Sequence, residues 1–314
     1  MSVATIETSI YRQHIDELRR IKVKYTNTKI DRLGRTMGID DYGSVPWPEP
    51  VPFEARPSHP SGGVYGARAI ADNFRAWLEV HPVIIHPASS LCGGWVSGLP
   101  GVGGWRPEDR PVHLDPLIQK YHIMSTGCGG LNHLGPDMRI GLDLGWGGLL
   151  RKIRHYRRLN HPSGAEFYYA EETFVLAVQA WITRHVEALR EQADAETDPE
   201  VSAHLLGMAE MNEWLVDGAP RTLREACQFL AWFQSVDRMW AAGGALDQLD
   251  ELLRPFYEAD REAGLESDEA VIWHLASLFF NDTHYSQIGG PDAEGRDVTS
   301  PVSFLILDAA HLLA

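Results

Sequence analysis

The residues with the clearest chemical potential stand in a glycine-rich loop, "GCGGLNHLGPD", at positions 127–137. Glycine adopts backbone torsions that other residues avoid, so such a loop can approach a ligand or another segment closely. His133 could hydrogen-bond a substrate there or act as an acid or base near neutral pH, or it could cap its own loop. Cys128 could be a reactive thiol if the N-terminus of the helix predicted after Pro136 stabilises its thiolate, or it could be an unreactive packing residue.

Histidines supply a second set of candidates, because the chain has 14 of them. The sequence contains no HExxH, no HxH and no paired CxxC, which are spacings typical of zinc sites. His81 and His86 flank a short β-type run at 83–85, and at that separation they would point to opposite faces. A metal-dependent hydrolase therefore stays an alternative that lacks a ligand motif.

Acidic residues form a third set near the C-terminal third of the chain. Asp247, Asp250 and Glu251 fall on or near one face of a predicted helix. Charged helix faces are usually solvated, so we interpret this set as surface. The run "GGPDAEGRD" at 289–297 is rich in glycine, but it lacks both GxGxxG and the lysine of a Walker motif, so we expect no phosphate site there.

Composition narrows the classes of function. The 314 residues are 44% hydrophobic and 23% charged with a formal net charge of −15, which is typical of a soluble globular protein. This acidity argues against a nucleic-acid partner, since only 151–161 is locally basic and that run is typical of a helix C-terminus. The three cysteines have no paired spacing and favour a reducing compartment. Because we find no membrane span and no secretory signal, we predict a cytoplasmic protein without a membrane partner.

The N-terminal part of the chain changes twice in its predicted secondary structure. An amphipathic helix is predicted at 5–24, and the Pro/Gly-rich stretch 40–65 is too interrupted for regular structure. A short helix is predicted at 66–80. We therefore divide the chain into residues 1–65, a helix with a wrapping segment, and residues 66–314, a larger domain.

The rest of the chain is predicted to be mostly helical with few strands. The glycine-dense stretch 93–104 is either a surface loop or a point of close approach. From Asp137 onward helices dominate, and apolar residues at spacings of three and four in 171–189 indicate one buried stripe. Thr222 and Glu225 have the spacing of a capping box at the start of another helix.

Four stretches taken in order carry a family resemblance. They are "NHLGPDMRIGLDLGWGGLLRKI" (132–153), "PRTLREACQFLAWF" (220–233), "LDQLDELLRPFYEAD" (246–260) and "IGGPDAEGRDVTSPVSFLILDA" (288–309). They resemble the N-terminal half of the glycyl radical enzymes, which include the pyruvate formate-lyases and the glycerol, diol and hydroxyproline dehydratases.

The resemblance implies a mixed α/β, helix-rich fold, namely the N-terminal half of a pyruvate formate-lyase-like ten-stranded β/α barrel. In such enzymes a cysteine becomes a thiyl radical, and a second loop carries a glycyl radical. A separate S-adenosylmethionine and iron–sulfur activating enzyme installs that radical, and no other bound cofactor is implied. A small-molecule substrate is implied as well. His133 matches the histidine of the family's Gly-His segment, so we expect His133, with Asn132 and Cys128, to contact substrate.

The chain departs from the family in the residues that carry radical chemistry. No cysteine follows Cys227, and nothing resembles the family's Arg-Val-x-Gly-Tyr loop. We therefore expect a fragment, a truncated form or one subunit of a split enzyme whose complementary C-terminal chain supplies both loops. The run before Leu246 also lacks the family's His and Ser. The alternative is a non-catalytic binding or assembly module of the same fold, and in either case we expect a homo-oligomer.

Overall fold

The computed structural model describes residues 9–33, 51–96, 98–100, 105–122, 136–241, 245–281 and 285–314. Within these ranges the chain forms ten α-helices and two β-strands. In chain order they are α1 (Ile10–Leu33), α2 (Ala67–Val80), α3 (Asp115–Tyr121), α4 (Met138–Leu159), α5 (Ala165–Ala195), α6 (Pro199–Leu215), α7 (Leu223–Ala241), β1 (Ala245–Gln248), α8 (Leu249–Ala263), α9 (Asp268–Asn281), β2 (Tyr285–Gln287) and α10 (Pro301–Leu313).

The core forms around α7 and α9, which pack against each other. In α9 every residue in 270–281 is buried, as expected for a helix that is apolar on all sides. The helix α1 packs on α9 and α10 and buries Ile15 and Leu18 completely, whereas Ile10 is exposed. No helix in the described ranges is both long and apolar enough to cross a membrane.

The helices α5 and α6 form a long antiparallel hairpin. The stripe predicted in 171–189 is present, because Val178, Trp181 and Leu189 are buried along one side of α5. Asp198 caps α6 by accepting hydrogen bonds from the backbone N–H groups of the first turn, which satisfies donors that the helix itself leaves free. The capping box at Thr222 is half formed, since Thr222 Oγ1 accepts from Glu225 N while the Glu225 carboxylate accepts from Arg221 N.

The helix α4 is interrupted at Gly145, which has φ 61° and ψ 176°. A side chain there is excluded, since a Cβ atom would lie 2.3 Å from the carbonyl oxygen of Gly218. Just beyond the break, Gly147 N donates to Asp217 O at 3.0 Å. The glycines of this segment therefore let α4 lie directly on the turn that follows α6.

The two strands pair in parallel, with Ala245 opposite Tyr285, Gln248 opposite Gln287 and an irregularity between them. The helices α8 and α9 connect the strands, as a parallel pair requires a crossover connection. The mixed, helix-rich fold predicted from the sequence is thus confirmed. The strand predicted at 83–85 is wrong: Ile84 N donates to the ring of His185 and Ile84 O accepts from Gly93 N, so no strand ladder forms there.

Candidate functional site

The predicted substrate contacts Cys128, Asn132 and His133 lie outside the described residues. The start of α4, which follows these three residues in the chain, is described. Asp137 caps α4, and its carboxylate accepts from Arg139 N at 3.2 Å. The predicted Pro-Asp helix start is therefore present directly after the loop that carries these three side chains.

The glycine-dense stretch predicted at 93–104 is described in part: Gly93 and Gly94 are buried, whereas Gly98 and Pro100 are exposed. Residues 88–94, here called the buried loop, belong to no helix or strand, yet Ser89 to Gly94 are all buried. Buried backbone groups need hydrogen-bond partners, and side chains from three helices provide them. Close approach, one of the two readings left open for the glycine-dense stretch, thus holds for Gly93, where a Cβ atom would lie 2.4 Å from the Trp232 ring.

Gln228 of α7 binds both backbone polar groups of Cys92. Gln228 Oε1 accepts from Cys92 N at 2.9 Å, and Gln228 Nε2 donates to Cys92 O at 2.9 Å. Asn212 of α6 donates to Cys92 Sγ at 3.3 Å and accepts from Trp232 Nε1 at 2.7 Å. A primary amide offers both donors and an acceptor, so these two side chains satisfy the hydrogen-bonding groups of Cys92 without any charge.

Further contacts attach the buried loop to α6, α7 and α9. Arg224 Nη2 donates to Ser90 O at 2.9 Å, and Ser90 N donates to Ser277 Oγ at 3.0 Å. His204 Nε2 donates to Ser89 O at 2.8 Å, and burial lowers the pKa of His204 to about 4. His204 is therefore neutral near pH 7.

Beyond the buried loop the chain reaches the C-terminal end of α7, directly before β1. Leu99 N donates to Met239 O at 2.7 Å. The guanidinium of Arg238, a residue only 2% exposed, lies 4.9 Å from the centre of the Trp95 ring. The described part of the glycine-dense stretch therefore meets the end of α7, the helix that precedes β1 in the chain. We call this place the candidate functional site.

Asp250 lies at the start of α8, directly after β1, and the expectation that it is solvated is wrong. The side chain is completely buried. Its burial is compensated by two hydrogen bonds, which it accepts from Gly289 N at 2.7 Å and from the hydroxyl of Ser303. Gln248 Nε2 adds a bond to Gly289 O at 2.8 Å. One carboxylate thus joins the start of α8, the turn after β2 and the first turn of α10. Asp247, with φ 54°, and Glu251 are the more accessible members of the predicted acidic set.

Of the two histidines considered for a metal site, His81 has a structural role. His81 Nδ1 donates to Pro82 O and its Nε2 accepts from Val96 N at 3.2 Å. His185, which the sequence analysis did not single out, makes the same pair of contacts with Trp181 O and Ile84 N. In the part of the chain that the structure describes, no group of three or more His, Cys, Asp or Glu side chains is placed to hold a metal ion.

Cys92 and Cys227 are both fully buried. Burial raises the pKa of each thiol far above its ordinary value, so neither is present as a reactive thiolate at neutral pH. Cys227 packs in the core on the same helix as the fully buried Phe229 and Leu230.

The sequence reasoning missed the polar side chains that organise this site. Asn212, Gln228 and Ser277 are each fully buried on apolar helices. The available signal was their position, because each is a polar residue at a spacing that places it on the buried stripe of its helix.

Comparison with known proteins places this arrangement in a family. A model of the "Pyruvate formate lyase-like" family matches residues 122–314. The isethionate sulfite-lyase of Bilophila wadsworthia is 30% identical over 155 residues, which cover 42% of this chain and 19% of that enzyme. The 4-hydroxyphenylacetate decarboxylase glycyl radical subunit of Clostridioides difficile is 31% identical over 233 residues, 65% of this chain and 24% of the relative. The matched region is thus less than a quarter of either relative.

Solved structures agree at the level of the fold. A glycyl radical enzyme from Archaeoglobus fulgidus superposes with a TM-score of 0.67 at 19% identity, covering 96% of this chain and 46% of that chain. The glycerol-bound B12-independent glycerol dehydratase from Clostridium butyricum has a TM-score of 0.67 at 14% identity, with the same two coverages. The described helices and strands therefore correspond to somewhat less than half of such a barrel.

Proposed function

Because the chain belongs to the pyruvate formate lyase-like family, we propose that it forms the N-terminal part of a glycyl radical lyase or dehydratase. The proposed substrate is a small oxygenated or carboxylated metabolite. The observation that carries the proposal is the family match over 122–314, a region that contains the parallel pair β1–β2 and the helices that support it.

The proposed chemistry needs two loops that this sequence does not contain. A thiyl radical takes a hydrogen atom from a substrate C–H bond and becomes a thiol. The substrate radical then loses its leaving group, and the product radical takes the hydrogen atom back, which restores the thiyl. We propose that further polypeptide, joined to this chain or separate from it, supplies the cysteine and the radical glycine. An S-adenosylmethionine and iron–sulfur activating enzyme would install the glycyl radical.

We assign substrate binding to His133, Asn132 and Cys128. Imidazole and amide groups can hydrogen-bond a hydroxyl or carboxylate group of the substrate, and the capped start of α4 fixes the chain directly after them.

The test begins with the adjacent coding sequence and with any chain that co-purifies. The complete protein, treated anaerobically with its activating enzyme, is expected to give the electron paramagnetic resonance signal of a glycyl radical. Isethionate, 4-hydroxyphenylacetate and glycerol make the first substrate panel, because relatives are named for reactions of these compounds or bind them. The proposal fails if neither source provides a thiyl-type cysteine loop and a glycyl loop.

The role of His133 has its own test once a substrate is found. His133→Ala is expected to lower kcat/KM by about 10-fold or more, the scale of one lost hydrogen bond to substrate, without changing the glycyl radical signal. His155→Ala, which removes an exposed histidine on α4, is the matched control. Equal kcat/KM in wild type and the His133 variant would remove His133 from the site.

A second candidate function is an assembly module that does no chemistry. Phe304 and Leu307 on α10 are 61% and 52% exposed, and large exposed apolar side chains close together mark interaction surfaces. A pair of strands with open edges also tends to associate. Sedimentation showing a homo-oligomer or a complex with a complementary chain is expected, and a monomer that stays stable at high concentration would count against this candidate.

A further inference from the structure

An aromatic groove lies between the helices α2, α4, α5 and α7, and the proposed radical chemistry makes no use of it. The groove has a volume of about 920 Å³, which falls in the size range of small-molecule sites. Six aromatic side chains line it: Trp146, Tyr156, Phe167, Tyr168, Phe174 and Phe233. Two of these rings, on Tyr156 and Phe167, are 45% and 57% exposed at its rim, so a ligand can reach the groove from solvent.

Two carboxylates in this groove form no direct ion pair with the residues that the structure describes. Glu171 of α5 and Asp237 of α7 both line it, and neither has a hydrogen bond or an ion pair with any residue that the structure describes. The next residue along α5 differs in this respect, since Glu172 forms ion pairs with Arg154 and Arg157. Burial raises the pKa of both Glu171 and Asp237, and for Asp237 the positive charge of the neighbouring Arg238 opposes the rise in part. Glu171 has therefore lost water without gaining a cationic partner.

The remaining charge in the groove is small. Lys152 is its one basic lining residue, so two carboxylates face a single ammonium group. A groove of aromatic faces with an excess of carboxylate suits a cation with an apolar body, because ring faces and carboxylates both attract positive charge. An anion of the same shape would meet repulsion from Glu171 and Asp237.

We propose that the aromatic groove binds an organic cation with an apolar body, of the arylalkylammonium class. The ammonium group lies between Glu171 and Asp237, and the apolar body lies on the aromatic walls formed by α4, α5 and α7. This site is independent of the radical chemistry, since it needs neither a thiyl cysteine nor a glycyl radical.

The test uses three probes that share one apolar body and differ in charge: 3-phenylpropylammonium, 3-phenylpropanol and 3-phenylpropanoate. Each is titrated at neutral pH into the full chain and followed by saturation-transfer NMR, which suits the millimolar affinity of ligands this small. The cation is expected to bind about fivefold or more tightly than the alcohol, the scale of one or two partly exposed ion pairs. The carboxylate is expected to bind more weakly than the alcohol.

Variants separate the charge term from the apolar term. Glu171→Gln with Asp237→Asn is expected to bring the affinity of the cation down to that of the alcohol while leaving the alcohol unchanged. The matched control is Glu187→Gln with Glu191→Gln, which removes two exposed charges from α5 outside the groove and is expected to keep the preference for the cation. Circular dichroism checks that both double variants fold.

Three results would overturn the proposal. One is equal binding of the cation and the alcohol to wild type, which would make the groove an apolar surface without charge selection. Another is no binding of any probe. The third is a change in sedimentation of the groove variant without a change in probe binding, which would assign the groove to contact with a second copy of the chain.

Discussion

Gln228 satisfies two buried backbone groups of Cys92, the N–H group and the carbonyl oxygen, and the latter has only one further donor in the described part of the chain, Asn281 Nδ2 at 3.4 Å. The Gln228 amide accepts from Cys92 N and donates to Cys92 O, both at 2.9 Å, and it is itself fully buried. We expect Gln228→Leu to lower the free energy of unfolding by about 2–4 kcal/mol, because each unpaired buried group costs about 1–3 kcal/mol. Urea denaturation measures the change.

The matched control for this variant is Gln192→Leu, which changes an exposed glutamine on α5. It is expected to alter the free energy of unfolding by less than about 0.5 kcal/mol. Similar losses in both variants would mean that Gln228 does not support the buried loop.

Gly93 gives a second prediction at the residue scale. It has φ 94°, and a Cβ atom would lie 2.4 Å from the Trp232 ring, so Gly93→Ala combines backbone strain with overpacking. We expect a loss of about 2–4 kcal/mol in the free energy of unfolding. Gly207→Ala in α6 is the opposite case, since nothing lies within 4 Å of its Cβ position, and it is expected to stabilise by about 0.5–1 kcal/mol. The same urea curves measure both, and a neutral Gly93 variant would contradict this reading.

Some structural roles of single residues could be predicted from the local sequence, and others could not. The helix cap at Asp137 and the burial of Cys227 follow from local sequence, because caps and apolar stripes are set by neighbours a few positions away. Asp250 looked like a solvated charge, since its partners Gly289 and Ser303 are distant in sequence. Only the fold brings such partners together, so a single residue pattern could not show that Asp250 is buried.

Asp250 acts at the scale of elements, because it joins α8, the turn after β2 and α10 through Gly289 and Ser303. We expect Asp250→Ala to lower the free energy of unfolding by about 2–4 kcal/mol, since hydrogen bonds to a charged group are worth about 1.5–3 kcal/mol each. Hydrogen exchange should locate the effect, with lost protection at the Gly289 amide and in the first turn of α10.

The control for Asp250 is Glu262→Ala, which removes an exposed carboxylate from the same helix. It is expected to leave the exchange of the Gly289 amide unchanged. If both variants exchange alike at Gly289, Asp250 does not hold the three elements together.

The helices could be predicted well from sequence, and the connections between them could not. Apolar spacing indicated α5, and the capping signals located the starts of α4 and α7, because these features are local. The run at 83–85 was misread as a strand, since the backbone of the buried Ile84 bonds to the ring of His185 and to Gly93 of the buried loop instead of another strand. The pairing of β1 with β2 spans the whole of α8 and α9, and no local pattern encodes it.

At the scale of the whole molecule, buried neutral histidines connect the stability of the fold to pH. His81 and His185 each donate from Nδ1 and accept at Nε2. Protonation would turn the accepting nitrogen into a donor that faces an N–H group. Burial accordingly lowers the pKa of His81 and His204 to about 4 and that of His185 to about 3.

The sign of the effect follows from where the protons bind. Between about pH 6.5 and pH 4 these histidines bind protons in the unfolded chain and stay neutral in the folded chain. Their contribution to the free energy of unfolding therefore falls as the pH falls through this window. Each histidine contributes about 1.4 kcal/mol per pH unit. Burial raises the pKa of Asp237 and Asp260, and these carboxyls act in the opposite sense, so the total slope alone does not isolate the histidines.

A comparison of variants does isolate them. His185→Gln removes one buried titrating group, so the slope of unfolding free energy against pH between 6.5 and 4 is expected to decrease by about 1.4 kcal/mol per unit. His155→Gln, on the exposed side of α4, is the matched control for loss of a histidine. Urea denaturation at several pH values measures all three proteins. Parallel curves for wild type and the His185 variant would mean that His185 takes up its proton in the folded state, and its assigned role as a neutral acceptor for Ile84 N–H would be wrong.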